Sequence, residues 1–324
     1  MTRTIRWGIL GASKFSRDQM APAIHAAKGA ELVALASGSP EKTAGFAAFH
    51  PGLHLHDSYG ALLDDPAIDA VYIPLPNHLH VEWTLKALEA GKHVLCEKPI
   101  AMEADAFDQL IAARDAAGRL AAEAFMIVHH PQWQRARTLV QDNAIGRLVH
   151  IDARFSYDNR ADMGNIRNRR ETGGGSLPDI GVYTCGAARF VTGAEPSALA
   201  ARIDWENGVD VTAHVMADLG GASFSGMTSM RAHPRQEVVL HGETGVMRLP
   251  VPFNAGVFGE ARVELHRGME VTTERFPAAN HYVLQVENFC AAVRGEADYA
   301  CSLEFSRGTQ AMIDMILEAA PPAS

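Results

Sequence analysis

The feature that most constrains this chain is a change of rhythm near residue 125: short apolar runs alternating with helical stretches give way to long period-two stretches. The run 5–10 (IRWGIL) leads into a turn and a helical pattern through Met20, Ile24 and Ala27 that stops near Gly29. A second apolar strand follows at 31–37, then helical composition at 40–49. The alternation continues with a helix around 58–65, a strand over 70–75, a helix over 80–91, a strand over 93–98, a helix over 104–118 and a strand over 120–126. Nearly continuous apolar strands separated by helices of this length predict a parallel, doubly wound α/β sheet covered on both faces. From about 148, the stretches 148–157, 211–219, 222–230 and 236–250 alternate apolar with polar residues and meet at glycine-containing turns, the pattern of antiparallel strands. A helix over 178–191, with Pro178 near its start and Gly193 just beyond its end, interrupts them, and a last helix runs from Leu303 to Ala319. At 324 residues two cores are expected. The boundary is drawn as 1–125 and 126–324, with the C-terminal helix packing back on the first domain.

Charge and composition narrow the partners. A net charge of -9 supplies no basic excess to displace counterions from phosphates, which argues against nucleic acid. No stretch approaches the ~18 consecutive apolar residues of a membrane span, and the N-terminus enters its first strand too soon to read as a leader. Cys96, Cys185, Cys290 and Cys301 form no C-x-x-C pair and suit a reducing compartment, so a cytoplasmic location is expected. The 15 histidines include His54 with His56, His78 with His80 and the adjacent His129 and His130, yet no ligand set with metal spacing appears and no metal is expected.

After the first strand comes Gly8-Ile9-Leu10-Gly11-Ala12-Ser13-Lys14-Phe15-Ser16, which matches a dinucleotide-binding turn strictly only at Gly11. The turn opens a βαβ unit, so pyrophosphate is expected on the backbone of Gly11, Ala12, Ser13, Lys14 and Phe15 at a helix N-terminus. An ordinary strand-to-helix turn is the competing reading. The second strand ends in Ser37-Gly38-Ser39 with no carboxylate for a ribose 2′-hydroxyl. Ser37 and Ser39 suit a 2′-phosphate and Lys42 neutralises it, so NADP is favoured with NAD as the alternative, although the arginine often used there is missing.

Three strings carry a resemblance: Pro76-Asn77-His78-Leu79-His80 after the third main strand, Glu97-Lys98-Pro99 after the fourth, and Asp179-Ile180-Gly181-Val182-Tyr183 in the second half. With the first turn, in this order, they resemble the glucose-fructose oxidoreductase / inositol dehydrogenase / rhizopine catabolism (Gfo/Idh/MocA) family over essentially the whole chain. The resemblance implies a Rossmann domain followed by an α/β domain on a large open antiparallel sheet that serves for homodimer or homotetramer contacts. Tyr183 following Asp179, and the strings at 123–133, 155–160 and 164–168, look like the NADP-dependent D-xylose and dihydrodiol dehydrogenase branch. The expected activity is hydride transfer between a nicotinamide cofactor and a sugar or polyol.

That chemistry needs a base for the hydroxyl proton beside the hydride acceptor. Lys98, at the carboxyl end of a parallel strand, and Tyr183 are the candidates: Tyr183 transfers the proton, Lys98 polarises the same oxygen and favours phenolate, and Asp179, one helical turn before Tyr183, binds a substrate hydroxyl or orients Lys98. His129 is placed in the sugar pocket. Leu75, Pro76, Asn77 and His80 are expected along the ribose or nicotinamide edge, against helix capping by Asn77 and an exposed His80. Glu97 meets the nicotinamide ribose or pairs with a neighbouring charge; Tyr282 approaches the carboxamide or packs on a helix. The run Arg167-Asn168-Arg169-Arg170 reads as a solvated loop or an anion site, and Gly173-Gly174-Gly175 as slack backbone before the catalytic helix. Two other functions fit the fold: a redox-neutral sugar-modifying enzyme, and a nucleotide-sensing regulator without turnover.

Overall fold

A computed structural model describes residues 3–322. The chain forms two compact units, one running to Met126 and including His281–Ser306, the other Ile127–Asn280 with the chain from Arg307 onward.

The first unit holds a six-stranded sheet from β1 (Ile5–Leu10), β2 (Ala30–Ala36), β3 (His54–His56), β4 (Ala70–Ile73), β5 (His93–Cys96) and β6 (Ala121–Glu123), ordered β3-β2-β1-β4-β5-β6. Every pairing is parallel. The order reverses between β1 and β4, the place where open α/β sheets bind ligands at the carboxyl ends of their strands. Between the strands lie α1 (Ala21–Ala26), α2 (Pro40–Phe49), α3 (Tyr59–Leu63), α4 (His80–Glu89) and α5 (Ala106–Ala117). Burial on both faces explains why these strands are so apolar: Ile5, Trp7, Ile9, Val71, Ile73, Val94 and Leu95 are all solvent-inaccessible.

The second unit opens with α6 (Pro131–Gln141) and carries an eight-stranded sheet: β7 (Leu148–Asp158), β8 (Pro196–Glu206), β9 (Val209–Leu219), β10 (Ala222–Ser229), β11 (Arg231–Gly242), β12 (Val246–Leu249), β13 (Arg262–Arg267) and β14 (Glu270–Arg275). Its order is β14-β13-β12-β11-β7-β10-β9-β8, antiparallel except where β10 runs parallel to β7. Along β9, Val211, Ala213, Val215 and Ala217 are buried while His214 and Met216 face outward, so one face is core and the other carries polar and charged side chains. The helix α7 (Val182–Thr192) packs on β7, β9 and β10, preceded by a π-helical turn at Leu177–Gly181 and ended by Gly193.

The α/β class and both sheets agree with the sequence pattern. Some elements differ from it. The expected strand 120–126 stops at Glu123, because Met126–His129 turns into a 3₁₀ segment. Helix α6 and the short β3 had no reading of their own, while α8 (His281–Val293) bears out the helical reading around Tyr282. The last helix, α9, is Leu303–Ala319 as expected.

Candidate active site

In the first unit, three loops at the carboxyl ends of β1, β4 and β5 carry most of the expected cofactor residues. Gly11 donates its N–H to Ala36 O at 2.9 Å and adopts φ +111°. A Cβ there would lie 2.9 Å from Leu75 Cδ2, so the turn is a cradle that only glycine leaves open. Ser13 Oγ accepts the N–H of Ser16 at 3.0 Å, and Lys14 is paired with Asp18 at 2.5 Å on the surface. The exposed Phe15 ring meets Tyr282 edge-on at 5.5 Å. At the end of β2, Ser37 Oγ accepts from Ser39 N at 3.2 Å, while the space a Gly38 side chain would enter is empty to 4 Å. Lys42 is exposed in the first turn of α2.

Asn77 begins the short turn Asn77–Leu79 and does not cap a helix: neither that turn nor α4 has a side-chain cap. His80 departs from the reading that left it exposed: it is fully buried, its ring nitrogens 2.8 Å from Pro99 O and 2.7 Å from Leu75 O. Glu97 accepts from the hydroxyl of the buried Tyr72 at 2.6 Å. Burial and the Glu97 charge push the phenols of Tyr72 and Tyr282 above their ordinary range. Lys98 is half-buried and joined to Pro99 by a cis peptide. The next N–H, Ile100, donates to Glu123 Oε2 at 2.9 Å; Glu123 Oε1 accepts from Ser306 at 3.2 Å, and burial raises this carboxyl to about 7.

In the second unit, Tyr183 stands in the first turn of α7, 7% exposed, its ring 5.7 Å from Phe155 and 5.6 Å from Phe253. Asp179 lies in the preceding π-helical turn. It accepts from the Tyr157 hydroxyl at 2.6 Å and pairs with Arg167 Nε at 2.9 Å. Arg167 thus has a charged partner while its side chain stays 44% exposed, and the solvated-loop reading fails only for Asn168, which is buried and donates to Asp162 O at 2.9 Å. Burial and Asp179 raise the Tyr157 phenol, and the Asp179 charge raises Arg167. Gly175 is not slack: at φ +132° a Cβ there would collide with the Asp210 carboxylate. Asp210 Oδ2 accepts from Ser176 Oγ and from Leu177 N, each at 2.7 Å, capping the turn that carries Asp179, and burial lifts its carboxyl to about 6. His129 is buried, and burial drives its ring down to about 3. Among the described residues no cluster of His, Cys, Asp or Glu suits a metal, and no helix is long and apolar enough to cross a membrane.

Tyr157, Glu123 and Asp210 escaped the sequence reading, and Arg167 was seen only as one charge in a run. Tyr157 had a usable signal, since it shares the inward face of β7 with Ala153 and Phe155. The others are partners across long sequence separations that periodicity does not encode.

The cradle at Gly11, the strand reversal beside it and the absence of a carboxylate after β2 fit a nicotinamide dinucleotide. Residues 5–125 match the model of the oxidoreductase family with an NAD-binding Rossmann fold, and 133–248 that of the GFO/IDH/MocA C-terminal domain. The chain belongs to the Gfo/Idh/MocA oxidoreductase family. It is 37% identical to the uncharacterized oxidoreductase ORF334 of Rhizobium meliloti over 98% of this chain and 97% of that one. It is 32% identical to D-xylose 1-dehydrogenase (NADP(+)) 2 of Haloferax volcanii over 97% of each. A 3-ketoreductase of Actinomadura kijaniata, solved with NADP and TDP-benzene, superposes with a TM-score of 0.89 at 28% identity over 98% of each chain. The Gfo/Idh/MocA chain described here is thus a nicotinamide-dependent oxidoreductase by family and by the shape of its first unit.

Proposed function

We propose that this enzyme is an NADP-dependent sugar or polyol dehydrogenase or reductase in which Tyr183 transfers the proton, assisted by Lys98. The observation that carries this is the Asp179 carboxylate, fixed by Tyr157 and Arg167 one turn ahead of a phenol walled by Phe155 and Phe253. An immobile carboxylate beside a desolvated phenol can hold a substrate hydroxyl in register with the proton acceptor. Bound nicotinamide supplies the hydride acceptor or donor. Lys98 is assigned to polarise the reacting oxygen and, as a cation, to favour phenolate at Tyr183. Gly11, Ala12 and Ser13 are assigned to pyrophosphate and Ser37, Ser39 and Lys42 to the 2′-phosphate. The NADP named for the D-xylose dehydrogenase and bound to the ketoreductase supports that choice, and their sugar chemistry supports the substrate class.

The outward face of the second sheet, with Met216 68% exposed beside the Asp152–Arg154 pair, is assigned to contact with a second copy, giving a homodimer or homotetramer. Four buried cysteines, none of them in a disulfide, favour the reducing cytoplasm. Aldoses, polyols, ketoses and nucleotide sugars are to be followed by nicotinamide absorbance with NADP and NAD. Tyr183→Phe is expected to lower kcat by about 10²–10⁴-fold while the NADP dissociation constant stays put. Turnover near that of the wild type across the pH range sinks the assignment.

A further inference from the structure

We propose that His80 is a positioning residue of the catalytic loop: as a doubly protonated imidazolium it bridges the carbonyls of Leu75 and Pro99, setting the loop after β4 and the loop carrying Lys98 as one piece. Both ring nitrogens face acceptors, Nδ1 at 2.8 Å from Pro99 O and Nε2 at 2.7 Å from Leu75 O. A neutral imidazole has a single N–H. Whichever nitrogen lacked the proton would press a lone pair against a carbonyl lone pair at bonding distance, in a place no water reaches, since His80 has no exposed surface. With both nitrogens protonated, each donates to its own carbonyl and neither buried acceptor is left unmatched.

The ring's surroundings oppose this charge and must be weighed. From its own helix it is followed one turn later by Thr84, which is uncharged; from the loop after β4 it meets Leu75 O and His78; from the loop after β5 it meets Pro99 O and Lys98. Burial, Lys98 and His78 favour the neutral ring, whereas the two carbonyls favour the charged one. Burial penalises a charge because it loses water's dipoles, and here two main-chain dipoles aimed at the two N–H groups stand in for them. The spacing of both contacts leaves room for a donated hydrogen on each side and none for a repulsive pair.

The bridge matters because of what it joins. Leu75 backs the dinucleotide turn, lying where a Gly11 side chain would go. Pro99 directly follows Lys98, and the next residue, Ile100, is gripped from the other side by Glu123. A path of contacts therefore runs from Gly11 through Leu75 and His80 to the residue after Lys98, all inside the first unit. A disturbance of the Leu75 loop is felt at Lys98 through one rigid ring.

The positioning role rests on the assignment of Lys98 proposed above; the protonation state does not. In the ¹⁵N-labelled full-length protein, with the His80 ring assigned through its backbone, long-range ¹H–¹⁵N spectra from pH 6 to 8 are expected to show two protonated nitrogens. One protonated and one bare nitrogen overturns the imidazolium. His80→Gln, whose amide offers its donors from a single nitrogen, is expected to lower kcat about tenfold or more and to raise the cofactor KM together with it. A variant with lowered thermal stability but kcat and KM within twofold of the wild type overturns the coupling. If the wild type turns over no sugar at all, the proposed function fails while the ring signature can still be read, so the two failures are distinguishable.

Discussion

Replacing Glu123 by glutamine should make the enzyme more stable above neutral pH and leave it nearly unchanged at pH 5. Burial moves this carboxyl from its ordinary 4.5 to about 7, although the Ile100 N–H, the Ser306 hydroxyl and the Lys98 charge all pull the other way. Between those two values the folded protein holds a proton that the unfolded chain has released, so wild-type stability must fall as pH rises from about 4.5 through about 7. The displacement of about 2.5 pH units corresponds to roughly 3 kcal/mol at pH 8 and about 1 kcal/mol at pH 5. Glutamine carries no charge to desolvate. Its carbonyl can accept from Ile100, and its amide can donate to Ser306, whose own proton then turns toward Cys301 Sγ, 3.5 Å away. Replacing the carboxyl's bonds to Ile100 and Ser306 by those of the amide costs about 1 kcal/mol at either pH. The net gain is then near zero at pH 5 and about 2 kcal/mol at pH 8. For a unit of this size that is roughly 4–8 °C in unfolding midpoint at pH 8. Thermal melts of both proteins at half-unit intervals from pH 5 to 8 check this. Parallel midpoint curves would refute the claim that Glu123 ionises at a cost in the fold.

Two further substitutions address specificity and the scaffold of Asp179. Gly38→Arg enters open space at an ordinary backbone angle, and a guanidinium there can grip a 2′-phosphate, so the NADP-to-NAD ratio of kcat/KM should rise about tenfold; an unmoved ratio places the 2′-phosphate elsewhere. Gly175→Ala meets the Asp210 carboxylate at φ +132°, so it should cost more than about 2 kcal/mol and lower kcat with it, whereas Gly38→Ala should cost less than about 0.5 kcal/mol. Equal unfolding midpoints for the two alanine variants would contradict the crowding at Gly175.

What was legible in the sequence follows from the range of each physical cause. Strands β1, β2, β4 and β5 announce themselves because a parallel strand buried on both faces has no room for polar residues, and the turn at Gly11 because only glycine fits against Leu75. The helix ending at Gly193 is local too: its stop is a single positive-φ residue. Helix α6 hides because buried Gln132 and His130, which caps it, stand where an amphipathic pattern wants apolar residues. The partners of His80 and Arg167 were missed for a related reason. A histidine or arginine in a loop-rich stretch is usually wet, and only the three-dimensional path of the chain supplies Leu75 O and Pro99 O to the one or Asp179 to the other.

The same contrast separates two kinds of residue in this enzyme. Lys98, Asp179 and Tyr183, the groups proposed for the chemistry, stand in recognisable strings at a strand end and a helix start. Glu123, His80, Asp210 and Tyr157 bond to or beside those groups, each through a main-chain N–H, a carbonyl or a single carboxylate oxygen. A main-chain group is present at every position, so nothing in the sequence of Ile100, Pro99 or Leu177 marks it as a partner. Glu123, His80 and Asp210 are therefore visible only as buried polar side chains whose bonds end on the backbone next to a group proposed for the chemistry. Three of the four, Glu123, His80 and Asp210, are buried ionisable groups. The desolvation each suffers is offset only while its backbone partner stays in place, so a shift in the Lys98 loop or in the turn before α7 exposes an unmatched buried group and is resisted. Rigidity at the groups proposed for the chemistry is thus set by polar side chains bonded to main chain within two residues of them.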